Sequence, residues 1–424
     1  MNIHIKNGRL VDPRNGVDEK RDVFLADGKV AATGRAPAGF EAGRTIDAAG
    51  LVVCPGLVDL SARLREPGFE YKATLESEML AAAAGGVTSL ACPPDTDPPL
   101  DEPGLVEMLK YRAQTLKLVH VYPLGALTAR LAGERLTEMQ ELAEAGCIAF
   151  SQADAPLPDT LILWRAMQYA STFDFSVWLR PQDEYLARDG VAHDGDVATR
   201  LGLAGIPSFA ETIALATILR LVRATRTRVH LCRLSTAEAV DMVRQAKAEG
   251  LPVSCDVSAH HVHLSEMDLG YFDSQCHVVP PFRSLRDRDA LRQGLADGTV
   301  DAMCSDHAPV DEDAKLLPFG ESEAGVTGLE LLLPLALKWG QEMKRPLGEA
   351  LAAVSARPAA ILGLDAGHLA SGAVADLCLF DPAAHVRMTA EHLKSQGKNT
   401  PFLGYELPGR VRATLVAGEV VYQA

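Results

Sequence analysis

The sequence is poor in aromatic residues, which make up 5% of its 424 positions. A core of ordinary size must then be mostly aliphatic and alanine-rich. It also lacks any CxxC pair. The eight cysteines, at 54, 92, 147, 232, 255, 276, 304 and 378, are scattered, and several sit in apolar runs such as "SLACP" and "DAMCSD". That spacing leaves buried reduced thiols as the reading, rather than a disulfide framework or a zinc site. Basic charge is short as well, with 41 Lys and Arg against 56 Asp and Glu and a net charge of −15. No basic stripe stands out to neutralise phosphates, which argues against nucleic acid or an anionic membrane as partner. The longest strongly apolar stretch, "LELLLPLAL", falls far short of the roughly 20 residues that cross a bilayer. The start, "MNIHIKNGRLVD", has no apolar signal core, so a cytoplasmic protein is expected.

What is present is a regular alternation. Short apolar runs at 51–60, 87–93, 118–125, 147–152, 175–180, 228–235, 252–258 and 300–306 are apolar enough to be strands buried on both faces, as a parallel sheet requires. The segments between them carry helical patterns. "FAETIALATILRLVRAT" sets Leu215, Ile218, Leu219 and Val222 on one face. "STAEAVDMVRQAKAEG" places Ser235 three residues before Glu238, as in a capping box, and closes on Gly250. "LTEMQELAEAG" stops at Gly146. Eight strand-then-helix units predict an α/β chain folded as a (β/α)8 TIM barrel over residues 51–359. Residues 1–50 and 360–424 read instead as short strands with turns such as Asn7-Gly8 and Asp27-Gly28. Neither end can bury much surface alone, so both are expected to join in one small flanking β domain. The longer connections, 181–207 and 308–328, are of the length that often carries function.

The active site of such a barrel lies at the C-terminal strand ends. Those ends carry Asp59, Ser61, Arg63 and Arg65, then Asp95, then Gln152 and Asp154. Arg180 and Asp183, Arg233, His260 and His261, and finally Asp306 and His307 follow. The set is dominated by Arg and Asp.

At these residues the chain resembles the dihydroorotases of the metal-dependent amidohydrolases. The resemblance runs through "GLVDLSARLREPG", "AAAAGGVTSLACPPDTDPPLD", "RLGLAGIPSFAE", "VSAHHVHLSE", "VVPPFRSLRDRDAL" and "DGTVDAMCSDHAP". It implies a distorted (β/α)8 barrel with a small β-sandwich built from both chain ends. It also implies a zinc-type site whose ligands this sequence lacks. The family's His-x-His ahead of Leu-Arg-Glu-Pro-Gly falls on Ser61 and Arg63. Its bridging ligand falls on Gln152, with Asp154 nearby, and its fifth- and sixth-strand histidines fall on Arg180 and Arg233. Only the eighth-strand aspartate is retained, as Asp306. A guanidinium has five donors, no lone pair to offer a metal and a charge that does not titrate away. Three of them remove ligands and repel a divalent ion, so no metal is expected. The family's substrate-binding arginine is kept as Arg65, while an assisting asparagine falls on Asp95, a histidine on Val310 and a ring-contacting asparagine on Val279. Arg63, Arg65, Asp95, Arg180, Arg233 and His307 are therefore read as a vestigial substrate or anion rim, with Asp306 a vestigial catalytic residue.

Two readings of the arginines stay open. They form an anion pocket, or they pair with Asp59, Asp154, Asp183 and Asp306 and fill a vacated cavity; equal numbers of Asp and Arg favour the second. The histidines of "AHHVH" read as packing or hydrogen-bonding groups. What the resemblance implies is a non-catalytic dihydroorotase-like subunit that assembles with aspartate transcarbamoylase, as a homo-oligomer within a hetero-complex. The alternatives are a cyclic-amide hydrolase rebuilt on Asp306, Asp154 and those histidines, and a small-anion sensor.

Overall fold

Gly56 divides the run "LVVCPGLVDL" into two strands that belong to different sheets. A Cβ at this position would sit 2.1 Å from Thr88 Oγ1, so only glycine lets the chain pass this close to its neighbour. Before it, Val52–Pro55 pairs antiparallel with Leu377–Arg387 and parallel with Arg9–Asp12. After it, Leu57–Asp59 pairs parallel with Val87–Cys92. The single strand expected over 51–60 is thus two, because hydropathy alone does not show which sheet each half joins. The structure is a computed structural model and describes residues 2–424.

From Leu57 onward the strands pair parallel in chain order: Val87–Cys92 with His120–Pro123, then Gly125–Ala126 with Phe150–Ser151. Ser176–Leu179, Arg228–Leu231, Val253–Ser258 and Ala302–Cys304 continue the series. The third strand hands over at Leu124, whose N–H bonds Cys92 O while Gly125 N bonds Ala149 O. The last segment returns to the first: His307 N donates to Ser61 O at 3.0 Å and Arg63 N to His307 O at 2.9 Å. The eight segments therefore follow one another around a closed ring. Val58, Leu60, Leu124, Trp178 and Ala302 form one apolar cluster with Ala359 and Leu362 of the helix Ala356–Leu362.

Helices separate the strands as expected. Leu215, Ile218, Leu219 and Val222 are the buried face of Phe209–Thr225, and Gly146 ends Met139–Ala145 in the left-handed conformation. One cap differs. The helix Ala237–Ala248 is capped by Thr236, not Ser235, and ends at Glu249, one residue before Gly250. Ser235 instead donates its hydroxyl to buried Glu211, which also accepts the N–H groups of Ser235 and Thr236.

Two further sheets lie outside the ring, and both chain ends meet in the larger one. A six-stranded sheet holds Glu419–Gln423, Glu406–Val416, Leu377–Arg387, Val52–Pro55, Arg9–Asp12 and Val17–Lys20, and a four-stranded sheet holds Ile3–Lys6 and its neighbours. Ile3, Ile5, Leu10, Leu25, Leu377 and Leu415 form one apolar cluster between them. All eight cysteines are unpaired, and seven are buried.

Candidate functional site

The strand ends aim their polar side chains into one network. Asp306 and Arg233 leave their strands in the left-handed region, at φ 47° and 53°, and Arg65 does so at φ 63°. Each such non-glycine residue costs about 1 kcal/mol or more, and such strain gathers where side chains must be held in place. Arg233 is also fixed from behind, because its N–H donates to Asp256 Oδ1 at 2.6 Å while Asp256 Oδ2 lies 2.9 Å from His230 Nε2. Asp59 anchors the first strand to the eighth through the N–H and hydroxyl of Ser305, at 2.7 and 2.5 Å.

Asp154 is the hub. Its Oδ2 accepts from Arg63 Nη2 at 2.6 Å and Arg233 Nη1 at 3.3 Å, and its Oδ1 accepts from Arg180 Nε and Arg233 Nη2. Arg63 also donates Nε to Asp95 at 2.7 Å, and Arg233 Nη1 reaches Asp306 Oδ1 at 2.9 Å. Asp306 Oδ2 accepts the Ser258 hydroxyl at 3.0 Å. Three guanidiniums thus meet three carboxylates, and the network is close to neutral. The arginine side chains are 5–7% exposed, while Asp154 remains 32% exposed. Burial would raise the Asp154 carboxyl, but Arg233, Arg180 and Arg63 outweigh it and hold it well below the usual range. Burial does prevail at Asp306, whose carboxyl is raised despite Arg233 and Arg63. His260 is pushed down to about 3 by burial and by Arg233, so it stays neutral.

Arg65 stands apart. Its Nε donates to Pro309 O at 2.8 Å, and it makes no ion pair among the described residues. With Arg63, Asp95, Arg233, His260 and Asp306 it lines a cavity of about 210 Å³. His307 does not line that cavity. It is fully buried, with Nε2 2.7 Å from Glu78 Oε2 and Nδ1 accepting from Gly328 N. Gln152 also turns away, bonding Thr128 Oγ1 at 2.9 Å and Leu131 O at 2.8 Å.

The comparisons with known proteins agree with one another. The Dihydro-orotase-like family matches residues 50–239, and the Amidohydrolase family matches residues 183–422. A dihydroorotase-like protein of Pseudomonas aeruginosa is 47% identical over the full length of both chains. The chain belongs to the dihydroorotase-like amidohydrolases. A dihydroorotase of Geobacter sp. is 42% identical, again with 100% of each chain covered. The L-hydantoinase (dihydropyrimidinase) of Arthrobacter aurescens superposes with a TM-score of 0.88 at 25% identity, covering 99% of this chain and 96% of its own. The α/β fold of this dihydroorotase-like chain is therefore that of the hydantoinases.

Its site does not fit the family's metal. A zinc centre needs three or four compact lone-pair donors. Among the described residues, no group of three or more His, Cys, Asp or Glu is placed to hold a metal ion. Asp154 and Asp306 are nearest to such a role, and both carry guanidiniums where a metal would approach. The expected pairings of Asp59 and Asp183 with arginine are corrected. Asp59 bonds Ser305, and Asp183 caps the helix Glu184–Ala187 by accepting from Leu186 N at 3.0 Å. Asp95, which stands where the resemblance places an assisting asparagine, is a partner of Arg63. His260 and His261 lie buried in ring contact, and His263 bonds Leu335 O. Sequence reasoning passed over Asp256, Ser258 and Glu78. The signal for Asp256 was an acid inside the otherwise apolar strand "PVSCDVS".

Proposed function

We propose that this dihydroorotase-like chain is a pseudoenzyme with a structural role, assembling in the cytoplasm with aspartate transcarbamoylase in pyrimidine biosynthesis. We read its ring, from Leu57, as a distorted (β/α)8 barrel reaching to residue 359, flanked by a β-sandwich of residues 1–55 and 360–424 that takes in Val52–Pro55. The observation that carries the reading is the ion-paired cluster of Arg63, Arg180 and Arg233 where the resemblance places metal-binding imidazoles. A guanidinium cannot take over the imidazole's role, and without a bound metal nothing brings the pKa of an attacking water near neutrality. Pairing within the network also weighs against an open anion pocket, since three of the four rim arginines already face carboxylates and Arg65 alone makes no ion pair among the described residues.

The test is the metal content of protein purified without chelator, together with hydrolysis of dihydroorotate and co-purification of the transcarbamoylase. Metal far below stoichiometry, no turnover and a co-purifying transcarbamoylase are expected. One observation favours a second reading, a rebuilt hydrolase: His260 Nε2 is buried without a partner, 3.7 Å from Asp306 Oδ2. Stoichiometric metal that is lost in Asp306→Ala, with turnover of a cyclic amide, would establish that reading and overturn the first.

A further inference from the structure

Two loops on the C-terminal rim, 266–277 and 311–323, abut the cavity at their inner ends, where Val278 and Glu323 line it. Their outer face is apolar. Tyr271 is 91% exposed, Leu316 77%, Met267 57% and Leu317 48%. The loops are locked together at Ser274 and Lys315, which brings their exposed apolar residues onto neighbouring stretches of backbone. Ser274 donates its hydroxyl to Lys315 O, and Lys315 Nζ donates to Ser274 O at 3.0 Å and His277 O at 3.1 Å. Phe272 meets the Tyr271 ring edge-on at 5.6 Å. Scattered surface hydrophobes need no explanation, but a contiguous cluster of large ones marks an interaction site.

The border of this patch carries one sign of charge. Asp268, Asp273, Glu312, Asp313 and Glu321 are all exposed. The two loops contain no arginine, and their one lysine, Lys315, is 5% exposed with its ammonium bonded to backbone carbonyls. A second copy of the chain brought face to face would set these carboxylates against one another, which opposes association. We propose that this face docks a different protein, one whose contact surface has an apolar centre and a rim of Lys and Arg, seated beside the mouth of the vacated site. The proposal rests on the assembly reading for the existence of a protein partner.

The test uses the full chain with the transcarbamoylase catalytic chain of the same organism, and measures complex formation by sedimentation and binding kinetics. Tyr271→Ala with Leu316→Ala is expected to weaken the complex about 100-fold. Glu312→Lys with Asp313→Lys is expected to slow association about tenfold at low salt, an effect that fades as salt is raised. All four positions are exposed, so the thermal midpoint of each variant should match the parent. A complex that forms equally well with both double variants overturns the docking face and leaves the assembly reading standing. No complex with the parent protein overturns both. A dimer of the chain alone that Tyr271→Ala with Leu316→Ala dissociates makes a second copy the occupant, and overturns the proposal.

Discussion

Replacing Arg233 by Met tests the ion-pair network directly. Met keeps much of the stem and removes the charge, and the left-handed backbone at φ 53° is unfavourable for both residues. What is lost is the pair with Asp306, at 2.9 Å with both side chains 5% exposed, and one of the three guanidiniums on Asp154. Breaking a buried pair costs about 3–5 kcal/mol, because the remaining charge stays desolvated. Arg63 still stands 3.6 Å from Asp306 and Asp154 is partly solvated, which puts the expected loss near the lower bound, about 3 kcal/mol. The loss should also depend on pH. The Asp306 carboxyl is already raised by burial, and without Arg233 it rises further. A carboxyl whose folded pKa lies above its unfolded value holds more protons in the folded state, so stability falls as pH rises through that interval. The deficit relative to the parent is therefore greatest near neutrality and shrinks toward about pH 5. Chemical denaturation followed by tryptophan fluorescence at the two pH values measures it. A deficit under about 1 kcal/mol, or one that does not change with pH, refutes the claim that Arg233 restrains the rise of the Asp306 carboxyl.

Glu78→Leu should cost about 3 kcal/mol or more, since it strands His307 Nε2, the Ser395 hydroxyl and Gln396 N, which now bond the carboxylate at 2.7, 2.6 and 3.0 Å. Amide exchange over 393–399 should quicken, and unchanged exchange would count against Glu78 as the tether of that segment. Burial raises the Glu78 carboxyl, but His307 and Ser395 outweigh it and lower it. Its contribution is thus present above the ordinary glutamate pKa and lost as pH falls through the depressed value, a dependence the Leu variant should lack. Gly56→Ala should lower stability by about 1–3 kcal/mol, because its Cβ meets Thr88, a buried β-branched side chain with little room to turn. A thermal midpoint equal to the parent's would contradict that. Added zinc should leave the parent's thermal midpoint unchanged, and a concentration-dependent rise would reveal a donor set the geometry does not show.

Much of the site's chemistry was legible in the chain. Strand and helix alternate with their own hydrophobic periods, which neighbouring residues encode. Which residues stand where the resemblance implies metal ligands was equally plain, because Ser61, Arg63, Arg180 and Arg233 sit inside recognisable motifs and a side chain's donor inventory goes with its identity. Pairing was not legible. Arg63 and Asp154 are 91 positions apart and Arg233 and Asp306 are 73 apart, so nothing local distinguishes these partners from Asp59 or Asp183. The same holds for Ser235, which satisfies a local capping pattern yet bonds a carboxylate 24 residues earlier. "LVVCPGLVDL" shows it too, apolar throughout yet shared between two sheets. Periodicity and ligand chemistry are properties of residues and their near neighbours. Which charge neutralises which depends on where the closed ring brings distant strand ends together, and that is settled by packing in three dimensions.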